Sequence, residues 1–164
     1  MTAIEKSAPA AILAASALIL ATALASQYVG GLAPCELCLW QRWPYAAAIG
    51  LSLVALTALR RPAARSAAVA LCGLAFAVGG AVAFYHLGVE EGWFRGPAGC
   101  SAAAIDATTI EELKRQLEAA PVVRCDEVPW SLMGISLAGF NLIASAALAA
   151  GCLFLAARSW RRPA

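Results

Sequence analysis

Hydrophobic positions along this chain fall into four long runs, residues 7–35, 43–59, 66–89 and 128–157, and every Asp, Glu, Lys and Arg lies between or beyond them. A helix needs about 17–25 apolar residues to cross hydrocarbon, a length the second run only just attains. In lipid each backbone N–H and C=O must be paired within its own segment, so Ala- and Leu-rich runs of this length are expected to be helical. The pattern predicts an all-α membrane protein, a four-transmembrane-helix bundle in a single integral membrane domain covering 1–164. Its spans are expected at about 9–28, 43–59, 66–87 and 131–157, with outer loops at about 29–42 and 88–130. Gly73, Gly79, Gly80, Gly134 and Gly139 are candidate points of close helix approach.

Composition supports the membrane setting, since 62% of residues are hydrophobic and 13% charged, with a mean hydropathy of +0.74. Basic residues set the expected orientation. Lys6, then Arg60, Arg61 and Arg65, then Arg158, Arg161 and Arg162 mark three cytoplasmic segments, so both termini are expected inside and both intervening loops outside. In the long outer loop Glu90, Glu91, Asp106, Glu111, Glu112, Glu118, Asp126 and Glu127 outnumber Arg95, Lys114, Arg115 and Arg124. The net charge of +2 gives no reason to expect nucleic acid as a partner. Ala23-Leu24-Ala25 resembles a signal-peptide cleavage site, but the apolar run is longer than a signal core and Glu5 offsets Lys6, so the segment is read as a retained span.

Four of the six cysteines fall in the two outer loops, on the face where disulfides persist. Cys35 and Cys38 form a C-x-x-C pair, whose small ring is strained and readily reduced, which suits exchange better than stapling. Cys100 and Cys125 are compatible with a structural staple closing the long loop or with redox work. A four-thiolate zinc site is disfavoured because no second C-x-x-C is present, and haem attachment because Leu39 follows Cys38, so no metal is expected. Cys72 and Cys152 lie within apolar runs and read as small buried hydrophobes.

Arg42 follows Cys38 by four residues at the mouth of the second run. If the backbone is helical from Cys35, the two share a face and the guanidinium would favour a Cys38 thiolate. Pro44 favours a second arrangement, a regular span beginning there after an irregular Cys-to-Arg stretch. A third reading makes Arg42 an interfacial anchor beside Trp40, Trp43 and Tyr45. A planar cation beside a thiolate at the lipid boundary also suits a quinone headgroup. His86, near the outer end of the third run, is a candidate donor to a quinone oxygen or an interfacial histidine without such a role. Thr109-Ile110-Glu111-Glu112 reads as a capping box opening a short amphipathic helix that Pro121 would end, lying along the membrane surface. Gly96-Pro97-Ala98-Gly99 is expected to leave Cys100 accessible.

Together, Pro34-Cys35-x-x-Cys38 with Arg42, Gly88-Val89-Glu90 leading through Gly96-Pro97 to Cys100-Ser101, Cys125-Asp126-Glu127-Val128-Pro129-Trp130 and Gly134-Ile135-Ser136-Leu137-Ala138-Gly139 resemble the bacterial disulfide bond formation protein DsbB family. The resemblance implies a multi-pass protein of the bacterial inner membrane with both cysteine loops in the periplasm. It implies a quinone-dependent thiol oxidase in which Cys100, paired with Cys125, forms a mixed disulfide with a DsbA-like thioredoxin-fold oxidase. A Cys35–Cys125 bond then links the loops, and Cys38, as a thiolate beside Arg42, passes electrons to ubiquinone or menaquinone. His86 has a looser counterpart in the family. The alternatives are a non-enzymatic tetraspan protein whose loop disulfides are structural, and an oxidase serving a dedicated partner.

Overall fold

A computed structural model describes residues 3–97, 100, 109–119 and 123–161. In chain order these form α1 (Ala3–Tyr28), α2 (Glu36–Trp40), α3 (Trp43–Thr57), α4 (Pro62–Glu90), α5 (Ile110–Ala119), the strands β1 (Ser131–Leu132) and β2 (Ile135–Ser136), and α6 (Leu137–Trp160). Among the described residues, three segments are long and apolar enough to cross a membrane: Ser7–Tyr28, Pro62–Glu90 and Leu137–Trp160. The second run gives α3, only 15 residues, or about 22 Å at the rise of an α-helix, short of a bilayer core of about 30 Å. Hydroxyls on α1 that face outward are satisfied by their own helix, Thr22 Oγ1 donating to Leu18 O and Ser26 Oγ to Thr22 O.

The fourth run does not become helical at residue 131. Ser131 pairs with Ser136 and Leu132 with Ile135 in an antiparallel hairpin. Its two-residue turn places Met133 at φ 53° and Gly134 at φ 79°, the left-handed pair that matches the twist of two strands. Ser136 then caps α6, its Oγ accepting from the Gly139 N–H at 3.1 Å. The sequence signal was Gly134, read above as a helix contact; it makes none, because it lies in this turn.

Helix packing follows the small residues. α4 lies between α3 and α6, and α1 packs on α3. A Cβ on Gly73 would sit 3.0 Å from Leu153 Cγ and 3.1 Å from Cys152 Cβ on α6, and one on Gly79 would meet the Pro44 ring of α3 at 3.1 Å. Gly80 faces Ser145 and Ala146, whereas Gly139, in the first turn of α6, faces Ile135 of the preceding hairpin. The core is built of Ala8, Ile12, Tyr45, Ala48, Val69, Phe76 and Ala149, with Cys72 and Cys152 buried among them as small hydrophobes. Gly73→Leu should force α4 from α6 and destabilise the protein by about 1–3 kcal/mol, the usual cost of overpacking. Thermal unfolding in detergent micelles tests this, and an unchanged midpoint would show that the α4–α6 contact yields freely.

Candidate redox site

One end of the bundle collects the loop chemistry. α2 begins at Cys35, an extended N-cap whose Sγ accepts from the Cys38 N–H at 3.3 Å. One turn later the two sulfurs are 2.9 Å apart, and both are free thiols. After Trp40 the chain tightens, Arg42 N–H bonding Leu39 O at 3.1 Å, before α3 starts at Trp43 with Pro44 in its first turn. The stretch is therefore a short helix followed by a break, combining features of both backbone expectations.

Arg42 does not hydrogen-bond Cys38. Its Nη1 donates to Gln27 Oε1 of α1 at 2.8 Å. The break after Trp40 interrupts the shared helical face that the i, i+4 spacing invited. Tyr45 likewise leaves the expected aromatic belt: it is buried, and its hydroxyl bonds Asn141 and Ser145 of α6.

The sulfur favoured as a thiolate is Cys35. The hydrogen bond from Cys38 lowers its pKa from 9.0 to about 4 against the opposing effect of burial, with further help from His86. The hydrogen bond with Cys35, and then burial, push the Cys38 thiol up. By linkage, a lowered folded-state pKa makes the reduced protein gain stability as pH rises from about 4 towards 9.0. Above 9.0 the raised Cys38 reverses the trend, since its proton is harder to remove in the folded state. Reduced protein should show one equivalent of thiolate ultraviolet absorbance at about pH 6, where ordinary thiols with pKa near 8.5 are protonated. Loss of that absorbance near neutrality would contradict the assignment.

Cys100 and Cys125 are disulfide-bonded, and Cys125 N–H also bonds Cys100 O at 2.7 Å. The expectation that Cys100 is accessible is corrected here: both half-cystines are fully buried. They pack with Cys35, Leu37 and Val89 in one apolar cluster. Sulfur atoms of Cys35 and Cys125 and a ring nitrogen of His86 all lie within 4.8 Å of one another. Residues 98–99, 101–108 and 120–122, which include Pro121 of the predicted helix end, lie outside the described residues. α5 does begin at the predicted cap, with Glu112 N–H bonded to Thr109 Oγ1 at 3.2 Å. Beside Cys125, Arg124 pairs with Asp126 at 2.6 Å and holds that half-buried carboxyl below its usual range.

His86 is buried near the C-terminal end of α4. Its Nε2 lies 3.6 Å from Cys35 Sγ and 3.8 Å from Glu90 Oε1, and its Nδ1 is 2.7 Å from Gln41 Nε2. Gln41 Oε1 in turn accepts from Asn141 Nδ2. Gln27, Gln41 and Asn141 were not anticipated from the sequence; the available signal was an amide side chain at the edge of, or inside, an apolar run. A cavity of about 370 Å³ adjoins this network, with Cys38, Gln41, Arg42, His86 and Asn141 among its lining residues. Leu18, Ile19, Leu32, Phe140 and Ala144 contribute its apolar wall.

A helical membrane protein that joins a disulfide to a neighbouring dithiol at one end of its bundle is built for thiol–disulfide chemistry. Comparison with known families makes this specific. The family described as Disulfide bond formation protein DsbB matches residues 5–155, and the chain belongs to it. A disulfide bond formation protein B from Stutzerimonas stutzeri is 32% identical over 145 residues, covering 85% of this chain and 86% of the relative. Another from Methylococcus capsulatus is 37% identical over 134 residues, covering 77% and 79% respectively. An uncharacterised Rickettsia prowazekii protein is 27% identical across 78% of this chain and 74% of its own length. No solved structure gives a significant match. The chain is thus a multi-pass inner-membrane protein of disulfide generation.

Proposed function

We propose that this protein is a quinone-dependent thiol oxidase that returns a DsbA-like periplasmic thioredoxin-fold donor to its disulfide form. The observation that carries the reading is the approach of Cys35 to the Cys100–Cys125 disulfide, with their sulfurs within 4.8 Å, while Cys38 lines the adjoining cavity.

The exchange balances as follows. A donor thiolate attacks Cys100, forming a mixed disulfide and releasing Cys125 as a thiolate. The donor's second thiolate then attacks its own mixed-disulfide sulfur, leaving the donor oxidised and Cys100 reduced. Cys125 attacks Cys35 of an oxidised Cys35–Cys38 pair, forming Cys35–Cys125 and releasing Cys38 as a thiolate. Cys100 attacks Cys125, restoring Cys100–Cys125 and leaving Cys35 and Cys38 reduced. The arrangement of sulfurs described above corresponds to that last state. In the inter-loop intermediate Cys35 carries no charge, so the negative sulfur is Cys38, on the cavity wall. Because Cys100 is buried, the first attack requires its sulfur to become exposed.

The cavity fits a quinone headgroup: it is largely apolar, with a small number of polar groups in its lining. When bound, a quinone supplies an acceptor for two electrons and two protons. Arg42 lines the cavity as a donor to a quinone carbonyl oxygen, and Gln27 steadies the guanidinium; His86 lines it too, with its ring nitrogens engaged by Gln41 on one side and facing Cys35 and Glu90 on the other. The cytoplasmic termini, periplasmic loops and a fourth crossing by α3 belong to the same proposal, supported by Arg60, Arg61, Arg65 and Arg158 at the opposite end. Membrane-surface placement of α5 is part of it too, consistent with the exposed Ile110 and Leu113.

The test is the absorbance of oxidised quinone after mixing purified protein, quinone and reduced DsbA-type donor. Loss of that signal in step with donor oxidation is expected. No loss, with folding and quinone binding confirmed, would overturn the reading.

A further inference from the structure

Three helices contribute to a hydrogen-bonded chain that ends at the Cys35 sulfur. Tyr45 OH on α3 meets Asn141 Oδ1 on α6, Asn141 Nδ2 meets Gln41 Oε1, and Gln41 Nε2 meets His86 Nδ1 on α4. On the far side of the ring, His86 Nε2 faces Cys35 Sγ at 3.6 Å and Glu90 Oε1 at 3.8 Å.

We propose that Gln41 is a positioning residue that holds His86 in the tautomer bearing its proton on Nε2, aimed at the Cys35 sulfur. An amide cannot serve both orders of the chain at once. If Gln41 gives its N–H to Nδ1, that nitrogen is an acceptor and the ring proton must be on Nε2. Gln41 Oε1 then accepts from the Asn141 amide, and Asn141 Oδ1 from the Tyr45 hydroxyl, so every donor in the chain meets an acceptor. Reversing both amides would move the proton to Nδ1 and turn the Nε2 lone pair towards a sulfur and a carboxylate, both acceptors. The Cys35 and Glu90 end thus selects the first order, and burial makes either mismatch costly. Glu90 is itself held by the Ser136 hydroxyl at 2.5 Å, which ties the α6 cap to the same site. Gln41 acts on the sulfur only through the ring; His86 makes the contact.

The inference rests on the proposed role of Cys35 in exchange, but its test does not. His86 is the sole histidine, so selective ¹⁵N-histidine labelling of the reduced full-length protein in micelles reports one ring. The expected spectrum has an unprotonated, pyridine-type Nδ1 and a protonated Nε2. Gln41→Glu presents a carboxylate that only accepts, and should place a proton on Nδ1. Gln41→Met, which keeps the length and removes the amide, should give averaged ring signals from both tautomers. A protonated Nδ1 in the unmutated protein, or unchanged ring signals in Gln41→Met, would overturn the proposal. In the quinone assay Gln41→Met should be slower by about 10- to 100-fold, the scale on which loss of a supporting hydrogen bond acts. A folded Gln41→Met variant with an unaltered rate would also overturn it. Failure of the unmutated protein to reduce quinone would instead defeat the proposed function, leaving the ring signals to decide the tautomer.

Discussion

Cys38→Ser is expected to bring quinone reduction down by at least about 10³-fold, to background, while the protein still inserts and folds. Cys38 is partly buried and lines the cavity, so a serine of similar volume leaves packing intact. What serine cannot do is form a disulfide with Cys35, 2.9 Å away in sulfur position, or leave it as a thiolate. The donor can still meet Cys100–Cys125, so one exchange with that disulfide should survive, without turnover. Quinone absorbance and trapped mixed disulfide, measured on the same sample, separate the two steps. Retained turnover in Cys38→Ser would remove the proposed electron path.

Cys100→Ser should produce the complementary defect. Turnover with a protein donor is expected to fall by a similar factor, at least about 10³-fold, because no mixed disulfide can form at that position. Quinone reduction driven by a small dithiol should persist, since Cys35 and Cys38 are both present and Cys38 borders the cavity directly. Loss of both activities alike would mean that Cys100–Cys125 acts as a staple holding the first loop in place, the structural role its burial also permits.

Much of the architecture was readable because bilayer thickness and backbone pairing leave few options for an apolar run. Residues 7–28, 62–90 and 137–160 correspond to three such runs. Two local features escaped the same reasoning. The hairpin at residues 131–136 is as apolar as the helix it precedes, and only a left-handed turn at Met133 and Gly134 separates them. α3 is shorter than its apolar run, and a break at Gln41 and Arg42 separates it from α2.

The candidate site divides along similar lines. Cysteine spacing marked Cys35 and Cys38 as a pair, and the resemblance joined Cys100 to Cys125, because thiol chemistry depends on residue type and short separations. Which sulfur is held as the thiolate depended first on the Cys38 side-chain hydrogen bond that the turn after the Cys35 N-cap brings about, and then on the approach of His86, 51 residues away. The partners of Arg42 and His86 are Gln27, Gln41 and Asn141, and Asn141 lies 100 residues from Gln41. The sequence by itself determined the membrane-embedded class, the helical runs and the redox-capable cysteines, because hydrophobicity and thiol chemistry are properties of the residues. Only the tertiary structure decided the hydrogen-bond order around His86, the burial of Cys100 and the meeting of the two loops, because those depend on which helix faces pack together.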